Sequence, residues 1–170
     1  SGTLACSLTM NKLFTKKLLL QNGFKTPDFK LVTHINQFEE VAELLKTPFV
    51  LKPCSQGSSI GVSIIENKND FEKNFQALEK FNDWIIAESY LLYSEYTAGF
   101  LNEKILPLIK IDASHEHFYN YEAKYFSDET KYICPSGLDP RVEERIQKRC
   151  FNACKLVAIR GWGRIDFFID

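Results

Sequence analysis

The chain has 170 residues, 45% hydrophobic and 14% aromatic, enough apolar material for one real core or two small ones packed together. Its 21 Lys and Arg against 22 Asp and Glu give no broad positive field, so neither a nucleic acid nor an anionic membrane is expected as partner. No run approaches the roughly 20 apolar residues of a membrane-spanning helix, and no basic start leads into a short apolar run like a signal peptide. Five cysteines without a C-x-x-C favour reduced thiols in a cytoplasmic protein over a disulfide framework or a zinc site.

In chain order, a first helix is expected from Ala5 to Asn22, with Leu13, Lys17 and Leu20 on one stripe and Gly23 as its stop. A strand at 29–33 follows. Asn36 with Glu39 reads as a capping box ahead of Phe38, Val41 and Leu44, in a helix that Pro48 ends. Strands at 49–53 and 62–66 flank the loop CSQGSSIG (54–61), which is too short for a crossover helix, so the two strands must pair antiparallel. Asn69 and Glu72 repeat the capping pattern before Phe71, Phe75 and Leu78, whose spacing marks a buried helical face. Strands at 84–88, 95–101, 105–111 and 163–169 complete the set. A last helix starts at Asp139 with Pro140 in its first turn, carries Val142, Ile146, Ala153 and Val157 inward, and ends before Gly161. The fold class is therefore α+β with mainly antiparallel sheets, divided into 1–94 and 95–170.

The loop at 54–61 is small, hydroxylic and glycine-punctuated, and it reads either as a flexible hairpin turn or as a phosphate lid built from Gly57, Ser58 and Ser59. It is not a Walker A loop, because a strand rather than a helix follows it. Lys52 ends the apolar strand FVLK immediately before the loop, as either a solvated strand-end lysine or a phosphate contact. Glu88 ends WIIAE, and Glu95 follows seven residues later; both are acceptors suited to an adenine amino group or ribose hydroxyls. FYNYEAKY (118–125) crowds four aromatics around Lys124, either as an aromatic strand or as a loop presenting that lysine to a phosphate. GWGRIDFFID (161–170) places Arg164, Asp166 and Phe168 on one face of a period-two strand. Burying that arginine and carboxylate is costly unless they pair with each other or meet a metal with phosphate. His115 and His117 form an H-x-H and His34 precedes a cap, with no third metal ligand in view.

Taken in order, SGTLACSLTMNK (1–12), VLKPCSQGSSIG (50–61), EYT (95–97), ILPLIKI (105–111), FYNYEAKYFSDETKYICP (118–135) and GWGRIDFFID (161–170) resemble the ATP-grasp superfamily, and within it the D-alanine:D-alanine ligases. The resemblance implies two α+β subdomains that hold ATP between them with Mg²⁺ (or Mn²⁺). By position, Lys12 and Lys52 would contact the α- and β-phosphates, with Gly57, Ser58 and Ser59 in the lid. Glu88, Ser89 and Leu91 would line the adenine, Glu95 would bind the ribose, and Val50, Val62, Phe118 and Phe168 would form the apolar slot. Lys124 would bind the transferring phosphate, Tyr125 and Ser58 would help close the substrate site, Arg164 would stabilise developing negative charge, and Asp166 would ligate magnesium. The implied reaction joins two D-alanines through an acyl phosphate for peptidoglycan synthesis, in a family that suggests a homodimer. A D-alanyl-D-lactate type ligase and a non-catalytic nucleotide-binding module are the alternatives. Gln56 stands where the family commonly has an acidic residue, and Tyr93-Ser94 replaces a more usual small or basic pair. Against the family pattern, the N-terminal domain and the end of the C-terminal domain, with the remaining metal ligands, are missing. The resemblance thus reads the chain as a fragment.

Overall fold

In the computed structural model the described residues are 1–112 and 130–170. They form two compact units, one of Met10–Leu91 and the other of Ser1–Thr9 with Leu92–Asp170. Residues 1–9, counted with 1–94 in the sequence reading, lie with the second unit; there the Ser1 hydroxyl donates to the Trp162 carbonyl at 2.8 Å.

The first helical stretch is two helices, α1 (Thr3–Met10) and α2 (Lys12–Gln21), because Asn11 is extended at φ −97° and its side chain caps α2 by accepting from the Phe14 amide. Asparagine competes with the helix in this way wherever a cap is possible. Gly23, at φ +77°, ends α2 in a Schellman turn, with Gly23 N–H donating to Leu20 O and Phe24 N–H to Leu19 O. The buried residues of α2 are Leu13 and Lys16, whereas Lys17 and Leu20 of the expected stripe are exposed.

The first unit holds a four-stranded antiparallel sheet of β1 (Phe29–Val32), β2 (Phe49–Pro53), β3 (Ser63–Ile65) and β4 (Ile85–Ser89), in the order β1-β4-β2-β3. The expected pairing across the loop holds, with Val50 opposite Ile64. One face packs on α3 (Phe38–Leu45) and α4 (Lys68–Glu79) through Phe49, Leu51, Ile85 and Ala87 from the sheet and Val41, Phe71, Phe75 and Leu78 from the helices. The caps differ from expectation. A 3₁₀ turn (Ile35–Gln37) precedes α3, and the capping box is made by His34 and Gln37, whose Oε1 accepts from the His34 amide at 2.9 Å. Asn67, not Asn69, caps α4 by accepting from the Asp70 amide.

The second unit is a five-stranded antiparallel sheet of β5 (Ser94–Leu101), β6 (Lys104–Ile105), β7 (Ile109–Asp112), β8 (Lys131–Ile133) and β9 (Trp162–Ile169). The run expected as one strand at 105–111 divides into β6 and β7, since Pro107 brings no N–H and the Leu108 amide donates instead to Glu143 at 3.0 Å. β8 was not foreseen as a strand. Helix α5 (Pro140–Leu156) is capped by Asp139 as expected. It buries Cys150 against Ala98 and Leu108, with Ile146, Ile165 and Phe167 at the margin.

Phe71 is fully buried among Phe38, Phe49 and Phe75, with ring centroids 5.7 to 6.2 Å away. Replacing it by Ala should cost about 3–5 kcal/mol of stability. Leu44→Ala, at a 54% exposed position, should stay within about 0.5 kcal/mol. Urea unfolding of the two variants should separate them by that margin.

Candidate functional site

The second face of the first sheet is built differently from the core face. It carries Phe29, Leu31, Val50, Lys52, Ile86 and Glu88, which alternate with the core-facing residues and meet across the ladder, Val50 opposite Glu88 and Lys52 opposite Ile86. Helix α2 lies on this face with Leu13 packed against Cys54 and Ile86. Its register brings Lys16 over the polar end of the sheet, beside Lys52 of β2. Lys16 places its ammonium 2.7 Å from Glu88 Oε2, and Lys52 lies 2.8 Å from Glu88 Oε1.

Lys12 meets the start of the loop instead. Its ammonium donates to the carbonyls of Pro53 (3.1 Å), Cys54 (3.2 Å) and Gln56 (2.5 Å), while its backbone N–H donates to Cys54 O at 3.0 Å. The first N–H groups of a helix have no partner within it, so α2 satisfies one of them on the loop. Asp83 fixes the same segment from the other side, accepting from the Ser55 amide at 2.6 Å and the Ser55 hydroxyl at 3.3 Å. The far end is set by Gly61, at φ +73°, where a Cβ would stand 2.8 Å from Leu78 Cδ2. Between these fixed ends Ser58 and Ser59 both adopt left-handed backbone, at φ 51° and 59°, a costly conformation for residues with a side chain.

Three ammonium groups and one carboxylate thus gather on one sheet face beside a glycine- and serine-rich loop. Burial lowers the pKa of Lys12, helped by the like charge of Lys52. Burial also lowers that of Lys16, against the raising effect of Glu88. For Glu88 burial pushes upward, but Lys52 and Lys16 together outweigh it through charge and hydrogen bonding, so its carboxyl is held below the ordinary 4.5. The arrangement concentrates more positive than negative charge beside the loop.

On the second sheet, Glu95, Thr97 and Gly99 of β5 stand opposite Phe168, Asp166 and Arg164 of β9. Residues directly opposite share a face, so Glu95, Arg164, Asp166 and Phe168 lie together there, as the period-two reading expects. The expected burial of the charged pair is not found: the Arg164 and Asp166 side chains are 68% and 44% exposed, and the odd-numbered residues Ile165 and Phe167 turn to the core. Arg164 Nη2 lies 2.9 Å from Asp166 Oδ2, and the buried Thr97 hydroxyl donates to Asp166 Oδ1 at 2.7 Å. A single carboxylate so held can serve as one ligand of a hard cation, whose usual set of oxygens is larger. Among the described residues no three His, Cys, Asp or Glu side chains converge as a metal set.

Lys12, Val50, Lys52 and Glu88 are therefore brought to one sheet face, with Gly57, Ser58 and Ser59 in the loop that follows β2. Ser89 is on the opposite face of β4, its amide donating to Asp28 O at 2.9 Å. Val62 and Leu91 are half-buried beyond the loop and beyond β4. Phe118, Lys124, Tyr125, His115 and His117 lie outside the described residues. Three residues escaped the sequence reading: Lys16, Asp83 and Thr97. For Lys16 the sequence does hold a signal, one helical turn after Lys12, but the stripe of Leu13, Lys17 and Leu20 passes beside it.

Because Glu88 is held ionised by the fold, its contribution to stability is complete above pH 4.5 and disappears as the pH falls through its lower folded-state value. The unfolding free energy of the natural sequence should fall more steeply on acidification than that of Glu88→Gln; parallel curves would separate Glu88 from the acid limb.

The family described as D-ala D-ala ligase C-terminus matches residues 18–170. The D-alanine–D-alanine ligase of Nitrosomonas europaea is 37% identical over 170 residues, all of this chain and 55% of that protein. Ligase B of Chromobacterium violaceum is 37% identical over 169 residues, 99% of this chain and 55% of its own length. The chain thus spans about half the length of the curated relatives it matches. The crystal structure of the Bacillus anthracis D-alanine–D-alanine ligase is similar with a TM-score of 0.83 and 28% identity, covering all of this chain and 56% of that one. The same enzyme complexed with ATP matches at 0.81 and 25% identity, over all of this chain and 54% of that one.

Proposed function

This chain belongs to the D-alanine–D-alanine ligase family and has its ATP-grasp fold, and from that premise we propose that the whole protein joins two D-alanine molecules at the expense of ATP. The product would serve peptidoglycan precursor synthesis in the cytoplasm. The observation that carries the reading is the sheet face on which Lys16 and Lys52 flank Glu88, with Lys12 on the loop carbonyls, set beside Ser58 and Ser59.

Phosphoryl transfer asks a protein for positioning and charge neutralisation more than for a covalent nucleophile. Lys52 would neutralise the nucleotide phosphates directly and Lys12 by exchanging one of its three loop carbonyls for a phosphate oxygen, and Ser58 and Ser59, with the backbone N–H groups around Gly57, would wrap them. Val50 would lie against the base, with Val62 and Phe168, while Glu88, Ser89, Leu91 and Glu95 would contact the adenine and the ribose. In the ligand-free state both Glu88 oxygens are already taken by lysines, so any acceptance from an adenine amino group would use their remaining lone pairs. Asp166 would be one ligand of Mg²⁺ or Mn²⁺, oriented by the Thr97 hydroxyl. A bound metal ion would supply charge neutralisation at the phosphates. Arg164 would offer its guanidinium to the negative charge that develops as the amide forms. Lys124, Tyr125 and Phe118 complete the proposed set from sequence alone.

The complete protein incubated with Mg-ATP and D-alanine should release ADP and phosphate and yield D-alanyl-D-alanine by mass, and Arg164→Ala should lower turnover by about 10²-fold or more. Nucleotide binding without any dipeptide would turn the reading toward an ester-forming relative or a binding module. Unchanged turnover in Arg164→Ala would remove that residue from the chemistry.

A further inference from the structure

Lys16 is buried, 7% exposed, and its ammonium faces inward from α2. It meets Glu88 Oε2 at 2.7 Å, the Thr26 hydroxyl and the Pro27 carbonyl at 3.1 Å, and stands 5.0 Å from the centre of the Phe29 ring. An ammonium has three hydrogens, and three oxygens of the protein take them. No donor remains for a ligand, so this lysine acts only within the fold.

Its effect falls on Glu88. That carboxylate has one oxygen on Lys16 and the other on Lys52, with the three side chains 9%, 13% and 17% exposed for Lys16, Glu88 and Lys52. Two ammonium groups around one carboxylate leave one unit of positive charge. At this degree of burial charges are weakly screened, so the balance within the cluster governs what an incoming anion experiences. With Lys16 absent, the whole charge of Glu88 would fall to Lys52, and the attraction of that ammonium for a phosphate would weaken.

We propose that Lys16 is a positioning residue for nucleotide binding: by neutralising Glu88 and holding one of its oxygens, it leaves the Lys52 ammonium available to a ligand phosphate. The inference rests on the nucleotide reading above and adds to it a residue that touches no nucleotide. Thr26 and Pro27 take part by fixing the ammonium, which ties the α2 to β1 connection to the same cluster.

The test is a double-mutant cycle between Lys16 and Glu88, read by calorimetric titration of Mg-ADP into the complete protein, with thermal unfolding as a check on the fold. Lys16→Met should weaken Mg-ADP binding by about tenfold, the scale of one charge-assisted contact. Turnover at saturating nucleotide should stay within about twofold, since binding rather than the transition state is affected. Lys16→Arg, which keeps the charge, should bind nearly as the natural sequence does. In the Glu88→Gln background the Lys16→Met change should have no effect, because nothing remains there for Lys16 to neutralise. If Lys16→Met alone fails to fold, Lys16→Gln takes its place in both backgrounds, with the same loss expected beside Glu88 and none beside Gln at that position. An equal loss in both backgrounds, or none in either, would overturn the proposal. Absence of Mg-ADP binding by the natural sequence would instead bring down the nucleotide reading itself.

Discussion

The first unit depends on a carboxylate held between two ammonium groups. Glu88 lies at the end of β4 with β1 and β2 on either side and α2 above, and at 13% side-chain exposure it can be charged only because Lys16 and Lys52 sit at 2.7 and 2.8 Å. Breaking such a pair on one side leaves an uncompensated charge, which is why buried ion pairs hold geometry more surely than they add stability. The pair fixes how α2 lies on the sheet. That placement carries Lys12 to the Pro53, Cys54 and Gln56 carbonyls, so one ion cluster positions the helix and the helix positions the loop.

Both sheets divide their labour by the alternation of strand side chains. In the first, Phe49, Leu51, Ile85 and Ala87 go to the core while Val50, Lys52, Ile86 and Glu88 go to α2. In the second, Ala98, Ile165 and Phe167 go to α5 while Glu95, Thr97, Arg164, Asp166 and Phe168 share the other face. Because the period is two, a slip of one residue in either register would exchange the chemical face for the apolar one. The apolar core is thus what sets the position of the polar groups.

Most of the architecture was legible in the sequence because its signals were local. The antiparallel pairing of β2 and β3 followed from a short loop, the buried face of α4 from the spacing of Phe71, Phe75 and Leu78, and the start of α5 from Asp139 and Pro140. The misreadings arose where two local signals compete. Asn11 could continue a helix or cap one, and a tertiary hydrogen bond from Lys12 N–H to Cys54 O favoured the cap. His34 takes a capping role usually filled by Ser, Thr, Asp or Asn, so the Asn36 and Glu39 pattern points two residues beyond the real box. For the site, sequence could find the residues whose types suggest chemistry, such as Lys52, Arg164 and Asp166. It could not find Lys16, Asp83 or Thr97, whose importance lies in which groups they hold, and that is decided by tertiary contacts. The exposure of Arg164 and Asp166 was within reach of the alternation, since Gly163, Ile165, Phe167 and Ile169 make the wholly apolar face of β9 and the two charges lie on the other.

The central claim is that the lysine-bearing face of the first sheet, with its serine loop, receives the polyphosphate of a nucleotide. Amide hydrogen exchange of the complete protein with and without Mg-ADP tests it without relying on any substitution. Protection rising at 52–61 and at the end of β4, around Glu88, is the result this account predicts. Clear binding of Mg-ADP with exchange unchanged across those segments would contradict it, for the nucleotide would then be bound somewhere other than the face Glu88 organises.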